Sequence, residues 1–228
     1  MRFRHEFYQQ VEPYIRQCLT RYLERYDGYV DAQGMKAHFA GLGEKASRAL
    51  YIWVRRYQPS VVIETGVCNG ISSYVLLKAL AANGRGHLWS IDKPHYIDEE
   101  FEGRMSGPSR RKKNQGGPID SMVPRDWGVG WAVLQELRSQ WTLIEGDAKK
   151  ELPLLVNSLP GIDLFIHDSL HLRDHILWEC RTVWPKIRSG GMCVIDNAGR
   201  NDADHVLESE FGRSRVKIHG YRTIGFIK

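Results

Sequence analysis

An α/β fold built on a mostly parallel sheet, with helices on both faces, is predicted by three features of the sequence. Short apolar runs alternate with amphipathic stretches from Ser60 onward, a Gly-rich turn follows the first run, and acidic residues end several of the others. Such alternation implies parallel strands joined by right-handed helical crossovers.

The runs place strands at 61–64, 87–91, 142–145, 164–167 and 193–196. Ahead of them Phe7, Val11, Tyr14, Ile15 and Leu19 recur at helical spacing, and after a Gly-containing break a second helix is expected from Glu44 to Tyr57. Residues 1–57 therefore read as a helical lead-in or cap, and 58–228 as the sheet-bearing domain. The stretch 94–130 breaks the rhythm: it is rich in Gly, Pro and charge and shows no period until a helix-like 131–140, so it reads as a loop insertion or lid. Near the end, 215–218 and 222–227 flank Gly220 and predict an antiparallel hairpin that finishes the sheet.

The 228 residues, 42% of them apolar, suit one domain with a buried core. No apolar run is long enough to span a bilayer and the N-terminus lacks an apolar leader, so a soluble cytoplasmic protein is expected. Cys18, Cys68, Cys180 and Cys193 are scattered without C-x-x-C spacing, which suits core thiols in a reducing compartment and argues against a structural zinc site. The net charge of +5 is matched by Arg104, Arg110, Arg111, Lys112 and Lys113, which lie in one acid-free segment. The rest of the surface is balanced, and without interleaved aromatics the basic run is a poor nucleic-acid site. The sequence leaves oligomeric state open, and a homo-oligomer is compatible with it.

The segment from Val61 to Ser73 reads as strand, Gly-rich turn and helix start, a geometry that lets a ligand approach bare backbone and the N–H groups of a helix N-terminus. Its G-x-x-x-G spacing lacks the central glycine of the dinucleotide fingerprint, so a ligand without pyrophosphate fits better. Asp92 ends the second strand, where a carboxylate can accept both hydroxyls of a ribose. Gly146-Asp147-Ala148 follows the third and offers a carboxylate and an adjacent amide to an adenine edge. Three successive strand ends thus point to one adenosine ligand.

The fourth run ends in Asp168 and the fifth in Asp196-Asn197. Two carboxylates and a carboxamide are hard ligands suited to an octahedral Mg²⁺ or Ca²⁺. His171 follows three residues after Asp168, and an unperturbed imidazole with a pKa of about 6.5 can accept a hydroxyl proton. His167 and His175 are further imidazoles nearby, while Trp178 and Trp184 read as core.

From Glu44 to Asn197, about two thirds of the chain, these residues resemble the class I S-adenosylmethionine-dependent methyltransferases, and most closely the small, metal-dependent catechol O-methyltransferase-like group. Gly43-Glu44-Lys45 before a helix, Pro59 to Glu64, and Gly66-x-x-x-Gly70-x-Ser72 carry the resemblance. It implies a Rossmann-like methyltransferase fold and S-adenosylmethionine as cofactor. Glu64, Gly66, Gly70 and Ser72, with Val67 and Asn69 in the same turn and Asp168 nearby, would enclose the methionine part. Asp92 would hold the ribose, and Asp147 with Ala148 the adenine.

The resemblance also implies a divalent cation, Mg²⁺, held by Asp168, Asp196 and Asn197, and a small hydroxylated molecule as methyl acceptor. The group carries a catalytic lysine where this chain has His171, which makes His171 the candidate base here and separates this chain from the catechol pattern. The basic segment has no match in that group and is where acceptor specificity is expected. A methyltransferase without metal, a non-catalytic adenosyl-binding protein of the same fold, and an NAD-dependent oxidoreductase are the competing readings, the last disfavoured by the missing glycine.

Overall fold

The computed structural model describes residues 1–27, 39, 41–96, 123–219 and 222–228. Its sheet contains β1 (Val61–Thr65), β2 (His87–Asp92), β3 (Trp141–Glu145), β4 (Ile162–His167), β5 (Ile187–Ile195), β6 (Val216–His219) and β7 (Thr223–Ile227). The strand order is β3-β2-β1-β4-β5-β7-β6. The first five strands are parallel, and β7 runs antiparallel between β5 and β6, as the sequence predicts.

The period of two in a strand sorts side chains onto two faces, and in a sheet covered on both sides both sets are apolar. Val62, Leu164, Ile166, Met192 and Val194 face one core with Leu50, Val54, Val75 and Leu76. Their neighbours Ile63, Phe165, Cys193 and Ile195 face the other with Leu152, Ile176, Leu177 and Leu207. The first layer is supplied by α1 (Arg2–Gln10), α3 (Glu44–Tyr57) and α4 (Ile71–Asn83), and the second by α5 (Ala148–Ser158), α6 (Arg173–Val183) and α7 (Ala203–Phe211). Phe7 and Val11 are fully buried in the same core as the sheet, so the lead-in helices pack on it directly.

The N-terminal helical pattern is divided at buried Val11 into α1 and α2 (Glu12–Tyr26), with Pro13 in the first turn of α2, where its missing N–H goes unneeded. The helix-like stretch at 131–140 is a correction: it forms turns and a 3-10 segment at Gln135–Gln140. Its opening residues are bent because Gly130 N–H donates to the Cys68 carbonyl (2.8 Å) and Ala132 N–H to the Asn69 carbonyl (3.0 Å). The basic run Arg104 and Arg110 to Lys113, and most of the expected lid, lie outside the described residues. Cys18, Cys180 and Cys193 are buried free thiols, whereas Cys68 is half-buried in the turn after β1. Among the described residues no helix is long and apolar enough to cross a membrane.

Asp163 ties the entry ends of three strands together. Its carboxylate accepts from the N–H groups of Ser60 and Val61 (both 2.8 Å) and from the Arg188 guanidinium (2.8 Å). Asp163→Ala strands two amides at the start of β1 and is expected to cost about 1–3 kcal/mol, measured by urea denaturation. A loss below about 0.5 kcal/mol, the usual surface range, would show that water replaces the carboxylate.

Candidate active site

The carboxyl ends of β1 to β5 all reach one edge of the sheet. β1 gives way to Gly66 at φ +86°, and its N–H donates to the Ile91 carbonyl (2.9 Å). The Asp92 carboxylate then accepts from Val67 N–H (2.8 Å) and from Cys68 N–H with the same oxygen. Asp92 thus shapes the turn. Burial pushes its carboxyl above the usual range, against the pull of these two backbone N–H groups.

The G-x-x-x-G spacing alone leaves the two turn glycines open for a ligand, and the structure shows that the chain itself requires them. A Cβ on Gly66 would lie 2.2 Å from the Asp168 carbonyl oxygen, and one on Gly70, at φ +85°, would lie 2.7 Å from Gly130 Cα. Asn69 is fully buried, and its side-chain oxygen accepts from the Trp131 indole N–H (2.6 Å). Its amide nitrogen finds no partner among the described residues.

Glu64, on β1, is fully buried. One carboxylate oxygen accepts from Ser73 (2.6 Å) and Ser90 (3.0 Å), while the other has no hydrogen-bond partner among the described residues. Burial pushes this carboxyl up to about 7, opposed by the serine hydroxyls of residues 72, 73 and 90. Ser72 is buried in the first turn of α4. At the end of β3, Asp147 caps α5 by accepting from Lys149 N–H (2.9 Å), a bond that holds its carboxyl below the usual range. Ala148 begins that helix, and Lys93 stands 3.6 Å from the Asp147 carboxylate.

Asp168, His171 and Asp196 meet at the ends of β4 and β5, with one ligand atom from each lying within 4.8 Å of the others. Asp196 accepts from Thr223 (2.7 Å) and from the Asn197 amide (2.7 Å). That amide nitrogen also stands 3.4 Å from His171 Nε2. Of the expected trio, Asp168 and Asp196 come together with the His171 imidazole beside them, and the Asn197 amide donates to Asp196. Burial, and next the charge of Asp196, push the Asp168 carboxyl well above the usual range. Two acids so placed are satisfied by a shared proton or by a cation, and the donor set fits a divalent ion.

His171 departs from the environment expected of it. It is 3% exposed and its Nδ1 lacks a partner among the described residues. Burial, then the neighbouring His167, lowers its pKa from 6.5 to about 3. A neutral imidazole offers a lone pair to a metal and is a weak proton acceptor.

Sequence reasoning missed Glu179, which α6 carries under the site. It is fully buried and accepts from Thr65 (2.6 Å), His167 Nδ1 (2.6 Å), Ser169 (2.9 Å) and His175 Nε2 (2.9 Å). Burial disfavours the ionised form, yet His167 and the hydrogen bonds of both imidazoles outweigh it and hold the carboxyl well below its ordinary range. No local motif surrounds Glu179, so only the folded chain reveals its partners. Trp178 and Trp184 pack against the second core as expected.

A strand order in which β7 alone runs antiparallel, inserted between β5 and β6, a glycine turn after β1 and acids at the ends of β2 to β5 define a class I S-adenosylmethionine-dependent methyltransferase. The chain belongs to the family described as "Methyltransferase domain", which matches residues 63–198, more than half its length. No curated protein matches it. Among solved structures it is similar to an O-methyltransferase from Bacillus cereus in complex with SAH (15% identity, 93% of this chain and 91% of that one, TM-score 0.57). It is also similar to a methyltransferase from Geobacter sulfurreducens (15%, 95% and 90%, TM-score 0.58). A third is the O-methyltransferase TomG from Streptomyces achromogenes, involved in tomaymycin synthesis and bound to SAM (16%, 83% and 82%, TM-score 0.52). At these identities the likeness is one of fold.

The pKa of Glu64 yields a stability test. Because burial raises it from 4.5 to about 7, folding favours the protonated acid. That contribution is fully present below about pH 4.5 and is lost as pH rises through 7, at about 1.4 kcal/mol for each tenfold difference in proton affinity between folded and unfolded chain. Glu64→Gln should therefore gain about 2–3 kcal/mol relative to the parent protein between pH 4.5 and 8, read by urea denaturation at both values. A difference independent of pH would show that Glu64 is already ionised in the fold.

Proposed function

We propose that this methyltransferase is an O-methyltransferase acting on a small hydroxylated molecule, with a divalent cation held by Asp168, Asp196 and His171. The observation that carries the reading is the cluster of two half-buried acids and a buried imidazole beside the Gly66 turn. The Bacillus and Streptomyces structures, both O-methyltransferases in name, support the choice of oxygen as acceptor. An imidazole among the donors suits Mn²⁺ better than Mg²⁺. Asn197 positions Asp196, and turning its amide over would bring its oxygen to the same point.

Glu64, Gly66, Val67, Asn69, Gly70 and Ser72 would surround the methionine part of S-adenosylmethionine, with the unpartnered Glu64 oxygen meeting its ammonium. Asp92 would take the ribose and Asp147 with Ala148 the adenine, while Asp168 lies between donor and cation. Residues 1–57 would cap the acceptor side and 58–228 carry the cofactor.

Methyl transfer is an in-line displacement, so the protein's task is alignment, exclusion of water and removal of the acceptor proton. The sulfonium supplies a methyl group on a neutral leaving group, and the cation would lower the pKa of an acceptor hydroxyl. Asp168 and Asp196 set where that hydroxyl stands. His171, held neutral, would offer an imidazole lone pair to the cation, as a metal donor in preference to the proton acceptor suggested by the sequence.

Asp168→Ala and Asp196→Ala should weaken Mn²⁺ binding at least about 100-fold and Asn197→Ala about tenfold, measured by calorimetry on the cofactor-loaded protein. Methylation of a hydroxylated acceptor should stop in EDTA and return with Mn²⁺; full turnover in EDTA would discard the cation. S-adenosylhomocysteine should bind more than about tenfold tighter at pH 8 than at pH 5 as Glu64 ionises against the ligand's ammonium. That dependence should vanish in Glu64→Gln, and its persistence there would assign it to another group.

A further inference from the structure

We propose that Glu179 is a positioning residue for methyl transfer, which from α6 ties the end of β1 to the end of β4 and so sets the donor turn against the acid cluster. The inference rests on the reading that Asp168 and His171 face the reacting groups. Its observation is the convergence of four donors on one fully buried carboxylate: Thr65 and His167 on one oxygen, Ser169 and His175 on the other.

Each donor belongs to a different part of the site. Thr65 is the last residue of β1 and precedes Gly66; its carbonyl accepts the Asp168 N–H (2.9 Å). His167 is the last residue of β4, is joined by its peptide bond to Asp168, and accepts the Asp196 N–H on its carbonyl (2.9 Å). Fixing the His167 ring therefore fixes the backbone that carries both carboxylates. Ser169 and His175 lie on either side of His171, so the loop that holds this imidazole is gripped before and after it. His171 itself makes no bond to Glu179.

A purely structural role does not explain the choice of residue. A buried ion is costly, and apolar residues of similar volume usually serve a core as well or better. The second core around Glu179 is otherwise built from Ile176, Leu177, Cys180 and Val183. What a fully bonded carboxylate adds is direction: four bonds of fixed geometry determine where each donor stands, which packing alone leaves looser.

The test uses the full chain and S-adenosylhomocysteine as probe. Glu179→Gln keeps the volume but replaces one acceptor oxygen with a donor facing two donors. It should lower cofactor affinity about tenfold, the scale of losing a supporting contact. It should also shift the ¹⁵N resonances of the His171 ring, which Glu179 does not touch. A lower melting temperature with unchanged affinity and unchanged His171 resonances would overturn the proposal and leave Glu179 as core packing. If Glu179→Gln does not fold, Thr65→Val and Ser169→Ala each remove one donor, and the same two readouts decide. Should the O-methylation reading fail instead, the parent protein will show no cation effect and no O-methyl product, while these comparisons, which need only the cofactor analogue, still stand.

Discussion

The backbone of Asp168 lies against the Cα of Gly66, with its N–H donating to the Thr65 carbonyl and its carbonyl oxygen 2.2 Å from where a Gly66 Cβ would sit. Much else follows from this contact. It requires glycine at the head of the turn after β1, and it places the fourth strand's acid beside that turn. It also leaves Thr65 and His167 side by side on neighbouring strands, where Glu179 reaches both. A side chain at position 66 would push the two strand ends apart and separate the glycine turn from the acids proposed to hold the cation.

The acids at this edge are held in different states. Glu179 is surrounded by donors and stays ionised despite full burial. Glu64 keeps one oxygen unmatched among the described residues and is raised toward neutrality, and Asp168 is raised by burial and by Asp196. The number of donors that meet each carboxylate thus separates the acid that stays ionised from those raised toward the neutral form.

The N-terminal helices act on the same region through aromatic packing. Tyr22 and Tyr26 of α2 pack with Phe39, Trp127 and Trp131, and the Trp131 indole holds Asn69 in the turn. Ile71, at the start of α4, packs with Cys18 and Ala132. The lead-in is thus connected to the glycine turn after β1 by contacts between residues far apart in sequence.

Local pattern was enough for the strands, the G-x-x-x-G turn, the hairpin and the acids at strand ends, because alternation, glycine spacing and strand-terminal charge are properties of neighbouring residues. The sequence by itself determined the α/β class, the family resemblance and the positions of Asp92, Asp168 and Asp196. Tertiary structure alone decided that Asp92 binds the turn amides, that 131–140 bends instead of forming an α-helix, and that His171 is buried and neutral. It also decided that Glu179 joins four donors. In each case the deciding quantity is the desolvation or hydrogen bonding of a group by partners distant in sequence, which no local spacing encodes.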